Sequence, residues 1–209
     1  MQLSPLIKRG WFYPFGLVVL MWALEAWDVA LSLPTQGRWG GIMDRFAIHP
    51  RQTYGLPGIV LSPFLHKGFG HLMGNSLPFL GLSMIILLSG LKRYVHVTAF
   101  IILLTGSAVW LLARSEGHLG ASGVVFGYIG YLLAKGVVEK SARWIAVSLV
   151  VLFFFIGYAH GLLPGQSQIS WESHLFGFLS GILAAWWMAP EKRAPKLPWD
   201  KAMERLKKP

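Results

Sequence analysis

Long apolar runs separated by short polar segments dominate the chain. Six of these runs approach the roughly 20 residues that an α-helix needs to cross a bilayer. They cover residues 11–33, 71–91, 94–114, 122–138, 143–163 and 171–189. The pattern predicts an all-α membrane protein, a compact bundle of six transmembrane helices over residues 11–190. Residues 1–10 are then a short cytoplasmic N-terminus, and residues 191–209 a basic cytoplasmic tail.

The first run also resembles a secretory signal peptide, because Lys8 and Arg9 precede it and Ala30, Leu31 and Ser32 look like a cleavage site. Its apolar region is too long for a signal peptide, so we interpret it as a helix. The composition agrees: 54% of the 209 residues are hydrophobic, 13% are charged and the mean hydropathy is +0.52. Such values exclude an ordinary soluble domain.

The basic residues indicate the orientation of the bundle. With a cytoplasmic N-terminus, fourteen of the nineteen Lys and Arg residues fall in inner segments. Cytoplasmic loops carry such an excess, so both termini are expected inside. The net charge of +10 then reflects topology and the lipid bilayer, and no nucleic-acid partner is expected. The chain has no cysteine, which excludes disulfides, thiol catalysis and cysteine-based metal sites.

The connection between the first two helices, residues 34–70, is unusually long and rich in Gly, Pro and aromatic residues. Loops of this length are usually functional or disordered. Few charges and many apolar residues favour an ordered loop that is partly embedded in the outer leaflet.

In this orientation the even-numbered helices begin at the outer side, where three groups of polar residues meet at one depth. His71 and Asn75 are spaced i, i+4 on helix two and share a face. Ser122 begins helix four, where free backbone N–H groups favour a developing oxyanion. His174 lies one turn into helix six. Intramembrane ionisable groups are costly and commonly functional, so these residues are candidates for an active site.

The small residues around Ser122 have a second interpretation. Gly120 and Gly123, like the pair Gly177 and Gly181, are typical of close helix packing in membranes. The two interpretations are compatible, because tight packing of helices four and six is what would bring Ser122 close to His174.

Together these motifs resemble the rhomboid family of intramembrane serine proteases. The resemblance rests on His66, the HLMGN segment at 71–75, GASG at 120–123 and HLFGFLSG at 174–181, in the family's order. It covers nearly the whole chain from residue 11 to about 190 and implies a rhomboid-like six-helix fold. Simple rhomboids of this kind are typical of bacterial inner membranes, which implies an active site that opens to the outer side.

The resemblance also implies the roles of individual residues. Ser122 is expected to be the nucleophile and His174 its general base, in a dyad without a carboxylate, because Glu172 points to another face of the helix. The oxyanion hole would consist of His71, Asn75 and the Ser122 backbone N–H. Supporting positions are His66, Gly120, Gly123, Phe126, Gly177 and Gly181. No metal or cofactor is expected, the substrates are single-pass transmembrane proteins, and the oligomeric state stays open.

Two positions depart from the family pattern. Phe126 stands where many members have tyrosine, so it can stack on His174 without offering a hydroxyl. In the long loop, residues 56–64 replace the Trp-Arg pair of some relatives. Family members are thought to admit substrates past helix five, where Phe153, Phe154 and Tyr158 suit either a gate or ordinary lipid contact. For Glu25 and Asp28 in helix one we expect a structural polar contact.

Two alternatives follow from the same residues. The first is a catalytically inactive rhomboid-like protein that binds membrane helices as a scaffold. Such proteins usually lose the serine or the histidine, whereas this chain keeps both. The second is a channel or metal carrier that uses the histidines as ligands or proton relays. The second is disfavoured because no HExxH motif or acid-rich cluster is present.

Overall fold

A computed structural model describes residues 10–32, 41–165 and 170–189. Within these residues there are seven α-helices, one of them a single turn at Gly58–Leu61. The six long helices are α1 (Phe12–Ser32), α2 (Phe69–Leu87), α3 (Leu91–Leu112), α4 (Ser122–Glu139), α5 (Ala142–Phe155) and α6 (Trp171–Trp187). The predicted N-terminus, 1–10, lies almost wholly outside the described residues, as does the basic tail, 191–209.

Four of these helices are long and apolar enough to cross a membrane: α1, α2, α3, and α5 with its continuation to Leu162. The chain is therefore an all-helical protein with the composition of an integral membrane protein. The two remaining helices, α4 and α6, have 18 and 17 residues and pack closely against each other. Twelve residues of α4 are buried in the protein, so this helix needs less apolar surface than one that faces lipid.

Glycines bring α4 and α6 into backbone contact. A Cβ added at Gly177 would collide with the carbonyl of Gly123, and one at Gly181 would collide with the carbonyl of Gly127. Neither position tolerates a side chain at this separation, so the packing interpretation is confirmed for Gly123, Gly177 and Gly181. The close crossing fixes the first turns of both helices relative to each other.

Polar side chains tie α1 to α2 and to the long loop. The Trp22 indole N–H donates to the Ser76 hydroxyl at 3.0 Å, and that hydroxyl donates to the Leu72 carbonyl at 2.8 Å. The Asp28 carboxylate accepts the backbone N–H of Met43 at 2.8 Å, which is the structural polar contact that we expected. Glu25 is buried beside this end of α1.

The described part of the long loop, from residue 41, is ordered and holds short helical turns at Ile42–Phe46, Thr53–Gly55, Gly58–Leu61 and Ser62–Phe64. It docks on the end of α3. The Arg51 guanidinium donates to the Ala113 carbonyl at 2.7 Å and the Ser115 hydroxyl at 3.0 Å. Ile48 and His118 form an isolated antiparallel bridge. A Cβ at Gly106 would meet the Ile59 carbonyl at 2.6 Å, so the loop touches the α3 backbone.

Three expected boundaries are corrected by the structure. Helix three was expected over 94–114, but α3 covers Leu91–Leu112. Helix two was expected to start at His71, but α2 begins at Phe69, so His71 lies within its first turn. Helix five was expected to run over 143–163, but the α-helix ends at Phe155 and continues as a 3₁₀ helix, Ile156–Leu162. Gly157 and Gly161 fall in that segment and disfavour regular α-helix.

Candidate active site

A cavity of about 940 Å³ opens at the end of the bundle where α2, α4 and α6 begin. Its wall includes the predicted site residues His71, Asn75, Ser122, Phe126 and His174. The three groups of polar residues that the sequence placed at one depth therefore share one cavity. Loop residues between α3 and α4, and residues that follow α5, complete the wall.

Ser122 is the first residue of α4 and is half-buried at the cavity wall. Its backbone N–H belongs to the first turn of the helix, where N–H groups have no partner within the helix. Gly120 makes the preceding turn with φ +115°, a conformation that favours glycine. A Cβ there would also meet the His71 ring at 2.6 Å. Gly120 thus allows the turn before Ser122 to approach His71 closely.

His174 lies in the first turns of α6 and is 8% exposed. Its ring stacks on Phe126, with ring centroids 4.2 Å apart and planes inclined by 14°, which is the contact that the resemblance implied. Nδ1 lies 2.9 Å from the carbonyl oxygen of Gly161 in the 3₁₀ segment. The imidazole is therefore held both at its face and at one nitrogen.

Ser122 and His174 face the same cavity, and the described residues show no direct hydrogen bond between their side chains. Catalytic hydrogen bonds are often long before substrate binds and shorten in the complex. The close crossing of α4 and α6 keeps the two residues within one site.

The Asn75 side chain presents a buried hydrogen-bond donor at the cavity wall. It is 7% exposed, lines the cavity, and its Nδ2 has no hydrogen-bond partner among the described residues. A buried donor without a partner costs free energy, so its presence here needs an explanation such as a role in binding. His71 lies one turn earlier on the same face and also lines the cavity. The pair could donate toward one point, which is what an oxyanion hole requires.

His66 supports the turn that precedes Ser122. It lies in the loop before α2, and its Nε2 accepts the backbone N–H of Ala121 at 3.3 Å. Burial, and the nearby His71, lower the pKa of His66 to about 3. The ring is therefore neutral at physiological pH and can serve as an acceptor. The rings of His66 and His71 meet edge to face at 5.2 Å.

Sequence reasoning missed the residues that hold the start of α6. His118, in the loop between α3 and α4, contacts the Ser170 hydroxyl at 2.6 Å and the Arg114 carbonyl at 3.1 Å. Ser170 caps α6 by accepting the Ser173 backbone N–H at 3.3 Å. The Ser immediately before an apolar run is a recognisable N-cap signal. The link to His118, 52 residues earlier, has no local signal.

Glu172 forms an ion pair with Arg114, with Oε1 3.3 Å from Nε. It is 4% exposed. The carboxylate nearest in sequence to His174 is thus engaged with the α3–α4 loop. Within residues 10–32, 41–165 and 170–189, no group of three or more His, Cys, Asp or Glu side chains is arranged to hold a metal ion.

Comparison with known proteins identifies the family. The Rhomboid domain model matches residues 52–191, about two thirds of the chain. An uncharacterised protein of Mycobacterium tuberculosis strain H37Rv is 38% identical over 168 residues, which are 76% of this chain and 70% of that protein. An uncharacterised protein of Mycobacterium leprae is 34% identical over 165 residues, or 74% of this chain and 65% of that protein.

Two relatives with more informative names are matched over smaller parts of their own length. Rhomboid-type serine protease 2 of Emericella nidulans is 25% identical over 133 residues, or 59% of this chain and 25% of that protein. Inactive rhomboid protein 2 of Homo sapiens is 35% identical over 148 residues, or 62% of this chain and 15% of that protein. The domain match and the mycobacterial relatives show that this chain belongs to the rhomboid family.

Proposed function

We propose that the protein is an intramembrane serine endopeptidase that uses Ser122 and His174 as a catalytic dyad. The observation that carries the proposal is the shared cavity, in which a half-buried serine at a helix start faces a histidine held by Phe126 and Gly161. A nucleophile beside an oriented base is the arrangement that acyl transfer needs. The family is rich in serine proteases, which supports the same conclusion.

The reaction follows the chemistry of these two side chains. His174 Nε2 takes the proton of the Ser122 hydroxyl, and Oγ attacks the carbonyl carbon of the substrate peptide bond. The tetrahedral intermediate collapses, its C–N bond breaks, and the amine leaves with the proton from His174. Water, activated by His174, then attacks the acyl-enzyme, which releases the acid and restores Ser122.

The oxyanion would be held by Asn75, His71 and the Ser122 backbone N–H. The Asn75 amide is already buried without another partner, so binding a negative oxygen satisfies it. Donors that are fixed before the reaction cost no reorganisation in the transition state. His66 and Gly120 would act indirectly, by shaping the turn that presents this N–H.

Single-pass transmembrane helices are the proposed substrates, and α5 is the proposed entry side. Phe154 and Tyr158 belong both to the cavity wall and to the α5 region, and Phe153 is 76% exposed beside them. Within the α5 span only 6% of the residues are buried, the lowest share among the four apolar spans. An element with so few packing partners is the easiest one for an incoming helix to displace.

We propose that the protein lies in a bacterial inner membrane, with both termini in the cytoplasm and the cavity open to the outer side. The proposed reaction uses no cofactor. The charge distribution supports this orientation. Six membrane crossings, α4 and α6 among them, complete the topology. Water then reaches Ser122 from the outer phase, which deacylation requires.

A non-catalytic helix-binding scaffold is the second candidate. It is favoured by the similarity to a human rhomboid protein that is named inactive. Helix binding needs neither an activated serine nor a free oxyanion donor, so the two candidates differ in whether a peptide bond is broken. Retention of both Ser122 and His174 favours the protease.

Cleavage in reconstituted membranes tests the proposed function. The protein is incorporated into liposomes with single-span reporter helices that differ in sequence near the outer end, each between two folded tags. We expect two fragments with the wild type and none with Ser122→Ala or His174→Ala. Ser107→Ala and His96→Ala, both on α3 and away from the cavity, are the matched controls. Binding of reporters without cleavage would favour the scaffold.

A further inference from the structure

The contact between His174 and the Gly161 carbonyl has a chemical consequence for the dyad. A neutral imidazole carries its proton on one nitrogen only, and a carbonyl oxygen can accept a hydrogen bond but cannot donate one. With Nδ1 2.9 Å from the Gly161 oxygen, that nitrogen is the one that donates. The Nε2 lone pair is then free to face Ser122.

We propose that the Gly161 carbonyl is the third, positioning member of the catalytic site, in the place that a carboxylate occupies in a Ser-His-Asp triad. It fixes the tautomer and the orientation of His174, and it stabilises the imidazolium that forms when His174 takes the serine proton. This role rests on the proposed function, since it concerns the base of the proposed reaction. Holding the correct tautomer is a large part of what the third residue of a triad does.

Among the described residues, no carboxylate forms a hydrogen bond with the His174 ring. Glu172, the acid closest in sequence to His174, is paired with Arg114. His118 is engaged with Ser170 and the Arg114 carbonyl. One face of the His174 ring stacks on Phe126. This contact fixes the plane of the ring but does not distinguish its two nitrogens. The Gly161 carbonyl is the group in the described site that selects between them.

The close approach requires a residue without a side chain at position 161. A Cβ at Gly161 would lie 3.2 Å from His174 Nδ1 and 3.2 Å from Phe126 Cζ, closer than ordinary van der Waals contact. Gly165, just after the same 3₁₀ segment and outside the cavity wall, has nothing within 4 Å of an added Cβ. Gly161→Ala therefore disturbs the contact, and Gly165→Ala is its matched control.

The first experiment reads the tautomer directly and does not depend on activity. Wild-type protein labelled with ¹⁵N-histidine is studied by NMR in detergent at about pH 8, where an unperturbed imidazole is neutral. Comparison with His174→Gln assigns the His174 signals. We expect the proton on Nδ1. A proton on Nε2, or an equal mixture of the two tautomers, would overturn the proposal.

The second experiment connects the tautomer to reactivity through the rate of inactivation by a fluorophosphonate. We expect Gly161→Ala to lower this rate between about threefold and a hundredfold, as for a lost positioning bond, and to mix the tautomers. Gly165→Ala should match the wild type in both. If Gly161→Ala has the same inactivation rate and the same His174 tautomer as the wild type, the inference is refuted. A pure Nδ1–H tautomer in a wild type that is never inactivated would refute the proposed function instead.

Discussion

The ring of His174 lies nearly parallel to that of Phe126, with centroids 4.2 Å apart. Phe126 stands where many family members have tyrosine, so the structure separates the stacking contact from any effect of a hydroxyl. A stacked aromatic pair contributes about 0.5–1.5 kcal/mol beyond the area that it buries. The contact orients the imidazole without using either of its nitrogens.

Removing this ring should weaken the base without abolishing the reaction. We expect Phe126→Ala to lower the cleavage rate about two- to tenfold, because the imidazole loses its stacking partner. Phe126→Tyr keeps the ring and should stay within about threefold of the wild type. Cleavage of a reporter helix at saturating substrate is the measurement. Equal rates for Phe126→Ala and the wild type would show that the stacking does not matter for the base.

Asn75 and Ser76 are neighbours on α2. We expect the Asn75 side chain to affect the cleavage rate and the Ser76 side chain to affect stability. Asn75→Ala should lower the rate about a hundred- to a thousandfold, or 2.7–4 kcal/mol of barrier, as for other oxyanion donors. Thermal stability should not fall, since Nδ2 has no hydrogen-bond partner to lose.

Ser76→Ala is the matched control for this experiment. It leaves the Trp22 indole N–H without its acceptor and should lower the free energy of unfolding by about 1 kcal/mol, with little effect on turnover. Rates and melting temperatures of both variants are compared in the same detergent. If Asn75→Ala costs less than about tenfold in rate, Asn75 is a scaffold residue and not an oxyanion donor.

The glycine contacts between α4 and α6 should not tolerate even a methyl group. We expect Gly177→Ala and Gly181→Ala to destabilise the protein by about 1–3 kcal/mol, because each Cβ would enter the backbone of α4. Gly81→Ala, on α2 with nothing within 4 Å, should be neutral or stabilising by up to about 1 kcal/mol. Thermal unfolding in detergent measures all three. Unchanged stability of Gly177→Ala would contradict the close crossing.

Acidic pH should destabilise the protein through its buried loop histidines. Burial lowers the pKa of His118, and burial with the nearby His71 lowers that of His66 to about 3. In the unfolded chain a histidine has a pKa of about 6.5, so below that pH the unfolded state binds more protons than the folded state. Stability is therefore complete above about pH 6.5 and falls as the pH decreases, by at most roughly 1.4 kcal/mol per pH unit for each histidine.

Melting temperatures between about pH 8 and pH 5 test this dependence. His118→Gln should flatten the decrease, because glutamine does not titrate and can still donate to the Arg114 carbonyl. A melting temperature that rises on acidification, or the same slope in His118→Gln, would contradict it. The groups around His118, namely Arg114, Glu116 and Glu172, remain in both proteins.

The sequence predicted the helices well because a membrane restricts what an apolar run can form. A run of about 20 residues in lipid must satisfy its backbone internally, and a helix does so. The predicted run 122–138 and α4, Ser122–Glu139, differ by one residue at the end. The α5 helix ends at Phe155, earlier than the hydrophobic pattern indicated, and the chain continues as a 3₁₀ helix that contains Gly161.

Long-range polar contacts explain most of what the sequence could not predict. The Arg51 guanidinium donates to the Ala113 carbonyl, 62 residues away, and no local pattern in the sequence predicts this contact. The contact of His118 with Ser170 is of the same kind. Such pairs depend on how the loops dock and leave no periodic pattern along the chain. The helical residues of the cavity wall, His71, Asn75, Ser122 and His174, were predictable because their positions near the helix starts place them at one depth.

Labelling of the purified protein with a fluorophosphonate tests the proposed dyad most directly. The reagent phosphonylates only an activated serine, and peptide mapping by mass spectrometry locates the adduct. We predict an adduct on Ser122 in the wild type, none in Ser122→Ala, and none in a folded His174→Ala. Equal labelling of the three proteins, or no labelling of a well-folded wild type, would contradict the dyad and favour a non-catalytic helix-binding protein.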